Sequence, residues 1–185
     1  MKNRLTNMDD VALWKSFLDG EREAFGEVYR RFYPLLKSYG MRMTRDEEFV
    51  RDVIQELFVK LISNHQHLHP TDNVRFYLLC AFRHKLMDAF AAMRQTEDVE
   101  TCADFFCFEL EDIDRLFDKD DETLSRERKL GQAVVGLSGR QREILYLFYV
   151  KNLSHREIAT LLSISVQSSK NLLFRTVSRL KELML

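Results

Sequence analysis

Residues 137–185 read LSGRQREILYLFYVKNLSHREIATLLSISVQSSKNLLFRTVSRLKELML. Two helix starts are written here as capping boxes: Ser138 has Gln141 three residues on, and Ser154 has Glu157 three residues on. In each, the hydroxyl accepts from the backbone N–H of the third helical residue while the longer side chain bonds back to the cap. Ser165 offers a plain cap to a third helix, after the tight turn Leu162-Ser163-Ile164. Helices in this order, joined by so short a turn, form a helix-turn-helix. On the third helix Val166, Leu173, Val177 and Leu180 are expected to pack inward, leaving Gln167, Ser168, Lys170, Asn171 and Arg175 on the other face. Short polar groups suit base edges and cations suit phosphates, so this face has the composition of one that enters a major groove.

An ordinary solvated helix face has a similar composition. The turn length and the placement of charge decide for DNA. Residues 1–96 hold 15 Lys+Arg against 13 Asp+Glu, residues 97–127 hold 3 against 13, and residues 128–185 hold 10 against 3. The nets of +2, −10 and +7 make up the whole-chain value of −1. A basic C-terminal module, suited to a phosphate backbone, therefore follows an acidic linker. That linker contains DFFCFELEDIDRLFDKDDE, where acids alternate with Phe, Leu and Ile. Its charge opposes a packed core, and its aromatics exceed those of a plain tether. It is expected to be mobile and to dock part of its apolar face, on its own domains or on a partner.

Upstream, two prolines and six glycines serve the whole chain and no long period-two alternation occurs, so the fold class is all-α. A helix is expected from Asp9 or Asp10 to Gly20, and a long one from Glu21 to Met43 that Pro34 should kink or interrupt. The next runs from Thr44 or Asp46 to Ile62. Phe49, Val53, Leu57 and Leu61 recur every four along it, opposite Asp52, Gln55, Glu56 and Lys60. A loop over 63–73 and a helix over 74–93 complete this part. The architecture read from these signals is an N-terminal helical bundle (1–95), an acidic linker (96–127) and a C-terminal helix-turn-helix domain (128–185).

No run of eighteen apolar residues is present to span a membrane. The stretch MKNRLTNMDD has no apolar signal region. Cys80, Cys102 and Cys107 form no CxxC pair, and a reducing cytoplasm is the simplest setting. His65, His67 and His69 alternate as in a metal site but have no second ligand cluster, so a polar loop is expected and no metal or cofactor. No Gly-rich phosphate loop or nucleophile–base motif points to catalysis.

Four segments in order carry a family resemblance: EREAFGEVYRRFYPLLKSYGMRM, RDVIQELFVKLI, NVRFYLLCAFRHKLMDAF, and the C-terminal stretch from Leu137. The chain resembles a sigma factor of bacterial RNA polymerase, of the extracytoplasmic-function (ECF) group. The resemblance implies that Asp52, Gln55, Glu56 and Lys60 bind the clamp coiled coil of core polymerase. It assigns the −10 element to Asn73, Arg75, Arg83, His84 and Lys85, where an unstacked non-template base enters a pocket. It assigns the −35 element to Arg156, Gln167, Ser168, Lys170, Asn171, Phe174 and Arg175. The implied partners are core RNA polymerase, promoter DNA and, as for many members, a membrane-anchored anti-sigma factor, with no small-molecule substrate. His84 stands where the family commonly has Asn, and Ser169 where an apolar residue is common. The alternative is a helix-turn-helix regulator that binds duplex operator DNA without being a polymerase subunit.

Overall fold

The structure, a computed structural model, describes residues 2–94, 106–107 and 123–185. Helices α1 (Lys2–Thr6), α2 (Asp10–Leu18), α3 (Arg22–Met43), α4 (Glu47–Ser63) and α5 (Val74–Arg94) make up the first part. Helices α6 (Thr123–Val135), α7 (Gly139–Leu145), α8 (His155–Leu162) and α9 (Val166–Met184) make up the second, with a π-helical turn at Tyr146–Val150. No strand occurs among the described residues. The chain divides into two compact units, Met1–Val99 and Glu100–Leu185.

In the first unit the helix starts follow from side-chain caps. Asp9, Asp46 and Asn73 each present Oδ1 to a backbone N–H three residues on, at 2.7, 3.0 and 3.1 Å. Helix α3 is continuous through Pro34, so the expected interruption does not occur. Pro34 and Arg30 both lie on the exposed side, where water can take the carbonyl that proline leaves without its donor. The buried side of α3, with Val28, Phe32, Leu36 and Tyr39, packs on α4 and α5. Those helices supply Val50, Ile54, Leu57 and Phe58, and Leu78, Phe82, Leu86 and Phe90. Trp14 and Phe17 of α2 stack at 4.8 Å beneath the same bundle. Arg31 fastens the N-terminal segment by donating to the carbonyls of Leu5, Thr6 and Met8 at 3.0, 3.1 and 2.7 Å.

In the second unit both capping boxes close as read. Ser138 N donates to Gln141 Oε1 at 2.9 Å, and Ser154 N to Glu157 Oε2 at 2.8 Å. Ser163 turns the chain in the left-handed region at φ 54°, and Ser165 Oγ accepts from Ser168 N at 2.9 Å to start α9. Two findings depart from the sequence reading. Helix α6 was not expected. Its Leu130 and Val134 form a small core with Leu180 and Met184 of α9. Val166 was expected to pack inward, yet it is 39% exposed, and the buried face of α9 is Ser169, Leu173 and Thr176. A β-branched residue in the first turn projects past the end of the core. Ser169 meets His155 Nδ1 at 3.0 Å, and Thr176 Oγ1 donates to Leu172 O at 2.7 Å, so both hydroxyls bury at little cost. Phe106 docks in this unit, 1% exposed, with its ring 5.3 Å from that of Tyr146. Apart from Phe106 and Cys107, the linker residues from 96 to 122 lie outside the described residues.

At Gly40 a β-carbon would come within 2.7 Å of Val50 Cγ1 and 3.0 Å of Phe82 Cζ, whereas at Gly26 it would meet nothing within 4 Å. Both glycines are on α3. Gly26→Ala is therefore expected to stabilise the chain by about 0.5–1 kcal/mol through helix propensity. Gly40→Ala meets an overpacking cost of about 1–3 kcal/mol that outweighs the same gain. Urea unfolding of the two variants beside the parent checks both signs.

Candidate nucleic-acid interface

Helix α9 presents one exposed, mainly polar face. Gln167, Ser168, Lys170, Asn171, Phe174 and Arg175 are all exposed. At about 100° per residue they share an arc of about 160°, opposite Ser169, Leu173 and Thr176. Gln167 Nε2 donates to Asn171 Oδ1 at 3.0 Å, which fixes the two amides relative to one another before any base arrives. Arg175 Nε donates to Asn171 O at 3.4 Å, which directs the rest of the guanidinium outward. Phe174 is 74% exposed, so its ring lies in the same exposed arc and not in the core. Val166, unexpectedly exposed, lies just outside this arc, beside Lys170 at the first turn of the helix. Apolar groups on such a face match thymine methyls. Arg156 is exposed near the start of α8, about two turns before the helix-turn-helix bend.

Helix α4 presents a second face. Asp52, Gln55, Glu56 and Lys60 are exposed, within an arc of about 140°. Val59 lies in the same arc and is 64% exposed. The sequence reading did not single out Val59. Its place between Gln55 and Lys60 in the exposed register was the signal. At the start of the same helix Glu47 is bonded by Lys37 Nζ at 2.6 Å. That bond holds the Glu47 carboxyl below its usual range and the Lys37 ammonium above its own.

The five residues assigned to the −10 element are not gathered on one stripe. Arg75 and His84, nine positions apart on α5, point to opposite sides and are separated by about 13 Å along the axis. Asn73 is exposed and its Oδ1 serves as the α5 cap. Arg83 and Lys85 are half-buried and His84 exposed. Lys85 Nζ bonds Glu56 Oε2 at 2.8 Å, so a residue read as a DNA contact pairs with one read as a polymerase contact. Arg75 Nε stands 3.9 Å from Asp10 Oδ2. Both pairs are solvated and contribute at most about 1 kcal/mol, so either partner is available to a stronger ligand.

Between α2 and the segment 68–72 lies a cleft of about 540 Å³. Val11, Trp14, Leu18 and Pro70 wall it, with Asp19 and Asp72 at the rim. Of the three alternating histidines, His65 packs on Phe25 with ring centroids 5.6 Å apart, and its Nδ1 bonds Ile62 O at 2.8 Å. The carbonyl of His69 accepts from Trp14 Nε1 at 3.3 Å. Among the described residues, no group of three or more His, Cys, Asp or Glu is arranged to hold a metal ion.

The chain matches two known families. Residues 28–96 match Sigma-70 region 2, and residues 127–180 match Sigma-70, region 4. It is similar to the ECF RNA polymerase sigma factor SigM of Bacillus subtilis, 26% identical over 161 residues, covering 85% of this chain and 93% of SigM. Among solved structures it resembles CnrH in complex with the cytosolic domain of CnrY, at 19% identity and a TM-score of 0.59, over 95% of this chain and 96% of that one. It also resembles the sigma factor RpoE in complex with the anti-sigma factor NepR from Bartonella quintana, at 18% identity and a TM-score of 0.53, over 86% and 96%. A region 2 match over the N-terminal helices leaves no place for the alternative of an operator-binding regulator outside the polymerase. The chain belongs to the sigma factors of bacterial RNA polymerase, in the ECF group, and it directs promoter-specific initiation by binding the core enzyme and promoter DNA.

Proposed function

We propose that the C-terminal unit reads the −35 element as duplex and that the N-terminal unit carries both polymerase binding and −10 capture. The observation that carries this reading is the α9 arc, where six side chains suited to base edges, methyls and phosphates share one exposed face. Lys170 and Arg175 supply its cations, Gln167, Ser168 and Asn171 its short-range hydrogen bonds, and Phe174 an apolar contact. Arg156 reaches the flanking backbone. The α4 arc around Val59 docks on core polymerase, with the apolar centre and polar rim common to protein interfaces.

For the −10 element, the geometry favours two contact zones over a single stripe. Asn73 and Arg75 serve the N-terminal end of α5; Arg83, His84 and Lys85 serve its middle. The cleft beside residues 68–72 is proposed to take the unstacked base. Its apolar walls suit a ring, and its rim carboxylates can accept from an exocyclic amine. RpoE is bound to an anti-sigma factor in its solved structure, and we extend that kind of partner to this chain. No described helix here is long and apolar enough to cross a bilayer.

The direct test is transcription in vitro with core polymerase on a promoter library varied at −35 and −10. Asn171→Ala and Arg175→Ala are each expected to cost about 1–3 kcal/mol and to relax preference at particular −35 positions. Lys170→Ala is expected to weaken all sequences alike and to lower the salt slope by about one, because an ammonium suits a phosphate better than a bidentate base edge. If none of the three changes preference or salt dependence, α9 does not read DNA. For α4, Glu56→Lys and Val59→Glu are expected to weaken core binding by roughly tenfold, about 1.4 kcal/mol, with helicity retained because both positions are exposed. Unchanged affinity for core polymerase in both variants removes the α4 assignment.

A further inference from the structure

His155 opens α8 beside Arg156, and its ring is held from two sides. Nδ1 lies 3.0 Å from Ser169 Oγ, a fully buried hydroxyl on α9. The Phe148 ring of the π-helical turn stands 5.1 Å away at an interplanar angle of 31°. A hydroxyl can donate to a neutral imidazole nitrogen or accept from a protonated one. The tie between α8 and α9 therefore survives a change in the charge of the ring. Nε2 lies on the other edge of the ring, and among the described residues it has no bond to the protein. His155 is only half-buried, so a ligand can reach that edge. Ser169 sits between Ser168 and Lys170, both in the exposed arc of α9, so the ring stands at the seam between α8 and the first turns of the reading helix. Where the N-terminal half of such a helix enters the major groove, the helix before it crosses the phosphate backbone.

We propose that His155 Nε2 donates to a phosphate oxygen at the edge of the −35 element, and that this contact couples promoter affinity to pH. It rests on the −35 reading above. A phosphate favours the imidazolium over the neutral ring, and imidazoles in ordinary surroundings take up their proton at about pH 6.5. Binding therefore takes up a proton and tightens as pH falls through that range. The ionisable side chains nearest on the surrounding elements are Arg156 and Glu157 of α8, Tyr146 and Tyr149 of the turn with Lys151 after it, and Lys170 of α9. Glu157 is engaged by Ser154, whose N and Oγ each donate to its Oε2 at 2.8 Å. Lys151 stands over the Tyr146 ring. Among the described residues none of the six bonds the imidazole, so a phosphate supplies the anion that the protein does not.

The experiment uses the full chain assembled with core polymerase, on a duplex promoter drawn from the library above, at pH ~6, ~7 and ~8. Comparing each variant with the parent at the same pH cancels titration of the core enzyme. His155→Gln keeps a neutral donor and cannot take the charge. The parent is expected to bind as the variant does at pH ~8 and about fivefold tighter at pH ~6, the gain of one charge-assisted hydrogen bond. His155→Lys, charged throughout, should show no such rise relative to its own affinity at pH ~8. Duplexes carrying single methylphosphonates across the −35 element read the partner directly. One uncharged position should abolish the parent's gain and leave His155→Gln unaffected.

A ratio of parent to His155→Gln affinity that is the same at pH ~6 and ~8 overturns the proposal, and equal loss by the variant at every pH marks His155 as a spacer between α8 and α9. A gain that no methylphosphonate removes overturns the phosphate as the partner. If Asn171→Ala and Arg175→Ala relax −35 preference while the ratio stays flat, the histidine contact alone falls. If they leave preference unchanged as well, the −35 reading falls with it.

Discussion

Where α3 crosses α4 and α5, the backbone at Gly40 leaves no room for a β-carbon. That close approach lets Val50 and Phe82 reach α3 from two sides, and it fixes which face of α4 is inward. Six α4 side chains, from Val50 to Leu61, are buried by it. At about 1.5–3 kcal/mol each, they hold the helix far more firmly than any ion pair on its outer face. The outer arc of α4 is therefore relieved of structural duty. Glu56 and Lys85 can separate on binding a partner without loosening the bundle, because the pair lies at the surface and is weak while the core beneath it is neither.

The same asymmetry explains what was legible in the sequence. Capping boxes at Ser138 and Ser154 and the four-residue apolar period of α4 are local signals, and the helices they announce are present. Helix α6 was hidden because its buried residues pair with the far end of α9, a contact distant in sequence. The inward face of α9 was misjudged at Val166, which residue type alone placed inside; Ser169 stands where an apolar residue is common in the family, and its hydrogen bond with His155 lets a serine be buried there. Continuity through Pro34 depended on which side of α3 faces water, and one helix considered alone cannot tell that. Apart from Arg156 on α8, the residues read as −35 contacts were legible as a face because they share α9 and one arc of it. The −10 residues were legible only as a list; their spread around α5 emerges from helix geometry and from the α4 neighbour that engages Lys85.

Charge and geometry together constrain how such a chain can act. The α9 arc holds two cations, Lys170 and Arg175, and the chain as a whole carries −1. On the proposed reading Lys170 is the phosphate contact of this arc, which gives a shallow salt slope of roughly −0.9 and correspondingly little sequence-independent affinity. Discrimination on that face would then rest on Gln167, Asn171, Phe174 and Arg175, whose contacts depend on the base presented and lapse on the wrong one. A reader with weak backbone attraction does not linger on arbitrary DNA. Its affinity has to be supplemented by a partner that brings its own duplex contacts, and α4 offers the surface for such a partner without disturbing the core. Low charge on the reading helix and a weakly paired outer face on α4 are thus two parts of one arrangement, in which promoter selection becomes effective in the assembled polymerase and stays weak in the free chain.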